Sequence, residues 1–265
     1  MAFKLAIDAG HYLGTPGKRC MKKLDAAQTR EWVLNDRVAR YIAEAAKQYD
    51  GLTLLRVDDP TGAKDVSLKN RCKAANNWEA DLYLSVHHNA GIGGGSGGGI
   101  VAYSYKEKTT GAAYRDAIYA ACIAAGGLRG NRSDPDQAYG YYVLRNTNAP
   151  AVLIEYGFMD SSTDVPVILT DSYARTVAFA TMEAIAQKAG LEKKREAQMP
   201  VLPVLRRGDK SEAVRAMQAL LTLRGFPCDT DGSFGPATQG QVKAFRGGSD
   251  VCDGTAWAAL LGVTV

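Results

Sequence analysis

Histidine and cysteine are scarce in this chain. Only three of its 265 residues are histidine and five are cysteine. The cysteines form no C-x-x-C pair and are odd in number, which argues against a thiolate metal site and against a fully paired disulfide framework. Free thiols are expected. The open alternative is a disulfide between Cys228 and Cys252, which share the C-terminal segment, in an oxidising compartment.

Long apolar runs and a strong charge of one sign are absent as well. No stretch reaches the roughly 18 to 20 apolar residues that span a bilayer, so no stable membrane insertion is expected. The N-terminus, MAFKLAIDAGH, lacks the apolar core and cleavage site of a signal peptide, which predicts synthesis in the cytoplasm. A formal net charge of +4 is too mild to indicate nucleic acid as a partner.

What the sequence does contain is an alternation of short apolar runs with helical patterns. This alternation predicts an α/β fold, in which a mostly parallel twisted sheet is flanked by helices on both faces. The strands are predicted at residues 3–8, 52–57, 81–87 and 150–155, and the main helices at 29–49, 67–78, 111–126 and 172–190.

A charged stretch with two prolines, LEKKREAQMPVLPVL, follows Gly190 and is typical of a linker. We therefore predict a first domain over residues 1–191, a linker over 192–200 and a second domain over 201–265. The last segment has short helical patterns around the turn-rich CDTDGSFGP, which predicts a small helical domain. Its size favours a binding module over a second catalytic domain.

Residues that can bind a metal or move a proton stand at three predicted strand ends: His11, His87 and Glu155. Sites in open α/β sheets form outside the carboxyl ends of the strands, so these residues converge if the strands are parallel neighbours. In YLSVHHNAG, side-chain alternation points His87 and His88 to opposite faces, and only one is expected to be a ligand. A catalytic zinc takes three protein ligands, so a third is required.

Glu31 is the candidate for that third ligand, because it heads a helical stripe that otherwise faces the core. The plainer alternative is a first-turn glutamate favoured by the helix dipole, and periodicity alone does not decide between the two. His11 and Glu155 likewise have a plainer interpretation as ordinary loop or strand-end residues. The other members of the stripe are Leu34, Asn35, Val38, Ile42, Ala45, Ala46 and Tyr49.

The glycine tract GIGGGSGGG, residues 91–99, superficially suggests a phosphate cradle. It lacks the Lys-Ser/Thr ending of a P-loop and no helix opens after it. A flexible loop is the better prediction.

Six short motifs occur in order across most of residues 4–190: DAGH, TREWVLNDRVARYI, LLRVDD, SLKNRCKAAN, ADLYLSVHHNA and APAVLIEYGFMD. This order resembles that of the zinc-dependent N-acetylmuramoyl-L-alanine amidases of the amidase_3 family. The resemblance implies one Zn²⁺ per chain, bound by His11, Glu31 and His87, with Glu155 as catalytic acid and base. His88 falls on a position that varies in the family.

The resemblance implies a role for one further residue, and the chain departs from the family in two places. Asp8 matches the family's first aspartate and is expected to fix the orientation of a ligand histidine. The segment after His11 departs from the family, which usually has a glycine-rich turn there, so the entry to the site is expected to differ. The long glycine tract after HHNA is a second departure.

Residues 204–261 resemble the small helical peptidoglycan-binding domains, through VLRRGDKSEAVRAMQALL, DGSFGPATQGQVKAF and DGTAWAALL. Arg246 stands where that family often has glutamine. The whole chain is thus expected to hydrolyse the amide between N-acetylmuramic acid and L-alanine, with bacterial peptidoglycan as its partner.

An amidase without a signal peptide, joined to a wall-binding module, resembles a phage endolysin that acts on the wall after release. Two alternatives stay open. One is a host autolysin or sporulation amidase with the same chemistry, and the other is a catalytically silent wall-binding protein. The oligomeric state is left open by the sequence.

Overall fold

The computed structural model describes residues 2–106, 109–131, 136–194 and 202–263. The chain divides into two compact units, residues 1–194 and 195–265.

The first unit extends slightly beyond the predicted boundary at residue 191. The N–H of Asp50 donates to the carbonyl of Glu192 at 3.0 Å, and the N–H of Lys194 donates to the carbonyl of Gln48 at 2.7 Å. Residues 192–194, which the sequence assigned to the linker, therefore belong to the first unit. The remainder of the predicted linker, 195–200, lies outside the described residues.

The first unit is built on a sheet that has six strands in the described part of the chain, in the order β2-β1-β3-β6-β4-β5. Strands β2, β1, β3 and β6 run parallel, while β4 is antiparallel to β6 and parallel to β5. All four predicted strands are present, and β4 and β5 are additional. The strands are β1 (Phe3–Ala9), β2 (Leu52–Arg56), β3 (Leu82–Asn89), β4 (Val101–Ser104), β5 (Asp136–Ala138) and β6 (Ala151–Phe158).

Helices cover both faces of this sheet, as predicted. Helices α1, α3 and α6 pack on one face, around a core that includes Ile42, Ile118 and Ile185. Helices α2 and α4 pack on the other face, where Cys72 and Val143 are buried. The helices of this unit are α1 (Glu31–Ala46), α2 (Leu68–Asn77), α3 (Thr110–Ala125), α4 (Tyr142–Asn146), α5 (Val165–Ile168) and α6 (Asp171–Ala189).

Local sequence explains where several of these helices begin and end. The hydroxyls of Ser67, Thr109 and Thr170 each accept a hydrogen bond from the backbone N–H three residues on, which satisfies a donor of the first turn. Helix α6 ends at Gly190, whose left-handed φ of 66° suits glycine.

Strands β3 and β6 continue past the residues at which the sequence predicted them to end. In their parallel register, His87 lies opposite Glu155 and Asn89 lies opposite Phe158. The register shift between these two pairs includes Gly157, which has a φ of 131°. Because of this irregularity, both strands continue beyond the site while His87 and Glu155 stay side by side.

The glycine tract 91–99 is a loop, as predicted. Hydrogen bonds from two carboxylates anchor it, whereas a flexible loop was expected. Oδ2 of Asp160 accepts the N–H groups of Gly91 and Gly93 at 2.9 and 2.7 Å. Oδ2 of Asp164 accepts the N–H of Gly99 at 2.6 Å. These carboxylates bind backbone N–H groups that a phosphate cradle would need.

The second unit is a small helical domain in its described residues, 202–263. Its core contains Leu205, Met217, Phe234 and Trp257. Its last helix lies within the motif DGTAWAALL. The helices are α7 (Glu212–Leu223), α8 (Pro236–Phe245) and α9 (Gly254–Leu261).

The structure also addresses the disulfide alternative and the length of the helices. All five cysteines are free thiols, so Cys228 and Cys252 are not bonded to each other. Across the described residues, every helix is too short or too polar to cross a bilayer.

Candidate metal centre

The side chains of His11, Glu31 and His87 converge on one point. One potential ligand atom from each lies within 4.8 Å of the other two. Oε1 of Glu31 is 3.0 Å from Nδ1 of His87, and Oε2 of Glu31 is 3.3 Å from Nε2 of His11. The two imidazole rings stand edge to face, with centroids 5.1 Å apart. The structure thus brings together the three residues that the sequence proposed as ligands.

The parallel sheet accounts for this convergence. Strands β1 and β3 are neighbours, so their carboxyl ends place His11 and His87 at the same edge. Glu31 is the first residue of α1, and its N–H donates to the carbonyl of Lys18 at 3.0 Å. The long segment between His11 and Glu31 therefore folds back over the site.

Gly10 makes room for one of the histidines. A Cβ at this position would lie 2.0 Å from the His87 ring, a distance that no side chain tolerates. Glycine is required here for close approach of the backbone to the imidazole, since the φ of Gly10 is not in the left-handed region.

The charge states of Glu31 and His11 suit a divalent cation. Burial by itself would raise the pKa of Glu31, but the hydrogen bond and charge of His87, together with His11 and Lys18, lower it to about 2. Burial lowers the pKa of His11 to about 4, against the opposing charge of Glu31. Near neutral pH the carboxylate is ionised and the His11 imidazole is neutral, which are the protonation states that metal ligands need.

Two buried carboxylate oxygens in and beside this cluster support a metal. Oε2 of Glu155 and Oε2 of Glu31 make no hydrogen bond among the described residues. The ion-pair contacts of the Glu31 oxygen are long, at 3.3 Å from Nε2 of His11 and 3.5 Å from Nζ of Lys18. Such buried acceptors are costly unless something else satisfies them. Two imidazoles and one carboxylate are a donor set of catalytic zinc sites. The residues present therefore fit a zinc ion.

Glu155 lies beside the cluster on β6, in register with His87. Burial raises the pKa of Glu155 to about 7, with the charge of Glu31 in the same direction and that of His87 opposing it. A carboxyl group with a pKa near the working pH can both accept and donate a proton. Its position and its pKa are those of a general acid and base.

His88 faces away from the cleft and is buried, as side-chain alternation predicted. Its Nδ1 lies 2.8 Å from Oδ1 of Asn35, and burial lowers the pKa of His88 to about 3, so its imidazole is neutral. Nδ2 of Asn35 donates to the carbonyl of Gly10 at 3.1 Å and to Oε1 of Glu31 at 3.4 Å. His88 thus supports Asn35, which contacts Glu31.

Asp8 is buried beneath the site but binds neither imidazole in its recorded hydrogen bonds. Its carboxylate accepts from Nη1 of Arg71 at 3.0 Å, from the hydroxyl of Tyr83 at 2.9 Å and from the hydroxyl of Ser85 at 2.6 Å. Arg71 in turn donates to the carbonyl of His11 at 2.8 Å. Asp8 is therefore connected through Arg71 to the backbone of His11, and its orientation of a ligand histidine stays a prediction.

The cluster stands in a cleft of about 690 Å³. Both His87 and Glu155 line it, so the scissile bond of a substrate can reach both side chains. The walls come from the loop after β1, the segment before α2 and the start of α4. Among their residues are Tyr12, Thr15, Lys18, Val66, Leu68, Tyr141 and Tyr142.

The amidase_3 family, described as N-acetylmuramoyl-L-alanine amidase, matches residues 5–187. The chain belongs to this family. A sporulation-specific N-acetylmuramoyl-L-alanine amidase of Bacillus subtilis (strain 168) is 31% identical over 195 residues, which are 72% of this chain and 69% of that protein. An endolysin of Bacillus phage SPP1 is 34% identical over 134 residues, or 48% of this chain and 47% of the endolysin.

The fold of the first unit is that of solved amidase domains. The crystal structure of an N-acetylmuramoyl-L-alanine amidase from Clostridium difficile 630 superposes with a TM-score of 0.63 at 24% identity, over 71% of this chain and 97% of that one. The resemblance inferred from the six motifs is thereby confirmed. This amidase_3 chain has peptidoglycan amidases among its homologues, including an endolysin and a sporulation enzyme.

Sequence reasoning missed two residues that support the site of this amidase, Asn35 and Arg71. Asn35 was assigned only to the core stripe of α1, yet a buried amide needs hydrogen-bond partners, and that need could have singled it out. Arg71, Cys72 and Ala75 are the buried residues of α2. An arginine on the apolar stripe of a short helix is the signal that could have found Arg71.

Proposed function

We propose that this chain is a zinc-dependent amidase that hydrolyses the amide between the lactyl group of N-acetylmuramic acid and L-alanine. The observation that carries the proposal is the convergence of His11, Glu31 and His87 within 4.8 Å, in a chain of the amidase_3 family. One Zn²⁺ per chain would be held by these three residues. Glu155, opposite His87 on the neighbouring strand, would handle the protons.

Zinc bound by this cluster would supply a Lewis acid that polarises the scissile carbonyl and acidifies a water molecule. The carboxylate of Glu155 takes the proton of the attacking water. The same carboxyl group then donates a proton to the departing nitrogen of L-alanine. Burial raises the pKa of the Glu155 carboxyl group to about 7 in the metal-free protein, which favours a group that can both accept and donate a proton.

Metal analysis and a digest of purified peptidoglycan test this proposal together. The expected result is one zinc per chain and the release of new L-alanine amino termini, with glycan strands left intact in the mass spectrum. A chelator should abolish the release and added Zn²⁺ should restore it. Cleavage within the glycan or within the stem peptide, or digestion that resists chelation, contradicts the proposal.

A catalytically silent wall-binding protein is the rival from a different class. The intact set of His11, Glu31, His87 and Glu155 argues against it. So does Oε2 of Glu155, which is buried without a hydrogen bond. A silent protein would sediment with cell walls, bind no zinc and release no L-alanine termini. The same digest separates the two.

We propose that the chain acts as an endolysin, and the compact second unit that follows the amidase domain is consistent with this role. The relatives include an endolysin and a sporulation-specific enzyme, so both roles occur among homologues. Expression inside a susceptible bacterium tests the role. An endolysin should lyse the cells only after the membrane is permeabilised, whereas lysis without permeabilisation favours a host autolysin.

The second unit is proposed to bind the cell wall. It has its own apolar core and the sequence pattern of small peptidoglycan-binding domains, and it is a separate compact unit. The isolated fragment 195–265 should sediment with purified cell walls in low-salt buffer. If it stays in the supernatant, a structural or dimerisation role is favoured instead.

A further inference from the structure

Arg71 is a buried arginine that no step of the proposed reaction uses. Its side chain is only 2% exposed, although it lines the cleft. Nη1 donates to the carbonyl of Ala9 and Nη2 donates to the carbonyl of His11, both at 2.8 Å. Its Nε donates to the carbonyl of Val66 at 2.8 Å, which fixes the plane of the guanidinium. The two arms Nη1 and Nη2 are called the fork below.

The backbone held by this fork has an unfavourable conformation. His11 has a φ of 67°, in the left-handed region that a residue with a Cβ seldom adopts. Such a conformation persists only where the surroundings hold it. The carbonyls of Ala9 and His11, on either side of Gly10, both accept from one guanidinium.

We propose that Arg71 is a positioning residue of the metal site, and that its fork holds the turn 9–11 so that the His11 imidazole points at Glu31 and His87. The inference rests on the proposed function, because it concerns the zinc ligands. Asp8 holds the fork in turn, at 3.0 Å from Nη1. A planar guanidinium can serve the two carbonyls and the carboxylate at once, in fixed directions.

Arg71→Lys tests the fork while keeping the charge beside Asp8. An ammonium is a compact point charge that cannot reproduce the fork. We expect the metal-free variant to unfold at a lower temperature than the wild type, because buried carbonyls lose their donor. At a temperature where both proteins are folded, it should bind Zn²⁺ at least about tenfold more weakly than the wild type, in competition with a chromophoric chelator. The visible absorption bands of the Co²⁺-substituted protein should also change. Wild-type zinc affinity and an unchanged Co²⁺ spectrum overturn the inference.

A double variant, Asp8→Asn with Arg71→Met, covers the case in which the single variant fails to fold. It removes both charges of the buried pair, a replacement that folded proteins often tolerate. If Arg71 serves only to neutralise Asp8, the double variant binds Zn²⁺ as the wild type does, and the inference is wrong. If the fork positions His11, zinc affinity falls as in Arg71→Lys.

Arg56→Lys is the matched control. The Arg56 guanidinium also bonds to buried carboxylates, those of Asp58 at 2.6 Å and Asp36 at 3.1 Å, and it does not line the cleft. The zinc affinity of Arg56→Lys should match that of the wild type. An equal loss of zinc affinity in both lysine variants contradicts a specific role of Arg71. A wild-type chain that binds no zinc overturns the proposed function, and this inference with it.

Discussion

His87 and His88 are adjacent in the chain, and their imidazoles lie on opposite faces of β3. Nδ1 of His87 is 3.0 Å from Oε1 of Glu31 in the cleft. Nδ1 of His88 is 2.8 Å from Oδ1 of Asn35, which is buried. The same strand therefore supplies a candidate ligand to the metal centre and a support to the helix that carries Glu31.

This relationship predicts unequal effects of two alanine substitutions. His87→Ala should remove most of the bound zinc, because it deletes one of three ligands. His88→Ala should keep most of the zinc but lower the free energy of unfolding by about 1–3 kcal/mol, since Oδ1 of Asn35 loses its buried partner. Metal analysis after dialysis and chemical denaturation measure the two effects. Equal zinc losses would overturn the assignment of His87.

Glu31→Gln should weaken zinc binding, because the amide lacks the negative charge of the carboxylate and cannot bind the ion as strongly. Asp36→Asn, on the same helix, is the control, since Asp36 is buried but bonds to Arg40 and Arg56 instead of the site. Titration of the metal-free proteins with Zn²⁺ compares them. If Glu31→Gln binds zinc and digests peptidoglycan as the wild type does, Glu31 is only a first-turn residue.

Glu155→Gln should separate catalysis from metal binding. Proton transfer by a positioned group contributes roughly 100- to 10,000-fold in rate, so hydrolysis should slow by at least about 100-fold. Zinc should remain bound, because the three ligands are untouched. The rate of L-alanine amino-terminus release and the zinc content are both measured. Loss of zinc would make Glu155 a ligand, and full activity would remove it from the mechanism.

Gly10→Ala should displace His87, because the new Cβ would lie 2.0 Å from the imidazole. We expect weaker zinc binding. Gly95→Ala is the control, since its Cβ would meet Ile92 at an ordinary 3.5 Å and its φ is not positive. A Gly10→Ala protein with wild-type zinc affinity would show that the ring can move without cost, contrary to this packing.

A chain that ends after Lys194 should fold, bind zinc and keep its amidase activity on soluble muropeptides. The reason is that the first unit contains the sheet, its covering helices and all of the candidate site residues. A chain that ends at residue 191 should be less stable, because it lacks the backbone hydrogen bonds between residues 192–194 and residues 48–50. Thermal unfolding and zinc content of the two truncated proteins test this.

Several features of the protein could be read from local patterns. Short apolar runs predicted β1, β2, β3 and β6 because buried parallel strands leave an almost continuous apolar signature. Strands β4 and β5 were not predicted. Strand β4 has only four residues and follows the glycine tract, so it offers too short a pattern to distinguish from a loop. The glycine tract itself suggested flexibility, because its anchors Asp160 and Asp164 lie far along the chain.

Local sequence patterns were sufficient to predict the α/β class, the candidate residues at the strand ends and the opposite orientations of His87 and His88. These follow from side-chain periodicity, which is a local property of the backbone. Glu31 stayed undecided on periodicity, because a first-turn glutamate and a ligand have the same pattern.

Contacts between residues that are distant in the chain depend on how the strands and helices pack. The pairing of β1 with β3 and of β3 with β6 brings His11, His87 and Glu155 to one edge, and the fold of the segment before α1 adds Glu31. The contact of Arg71 with the carbonyl of His11 joins residues 60 positions apart. Hydrogen bonds over such separations depend on packing, which leaves no periodic trace in the chain.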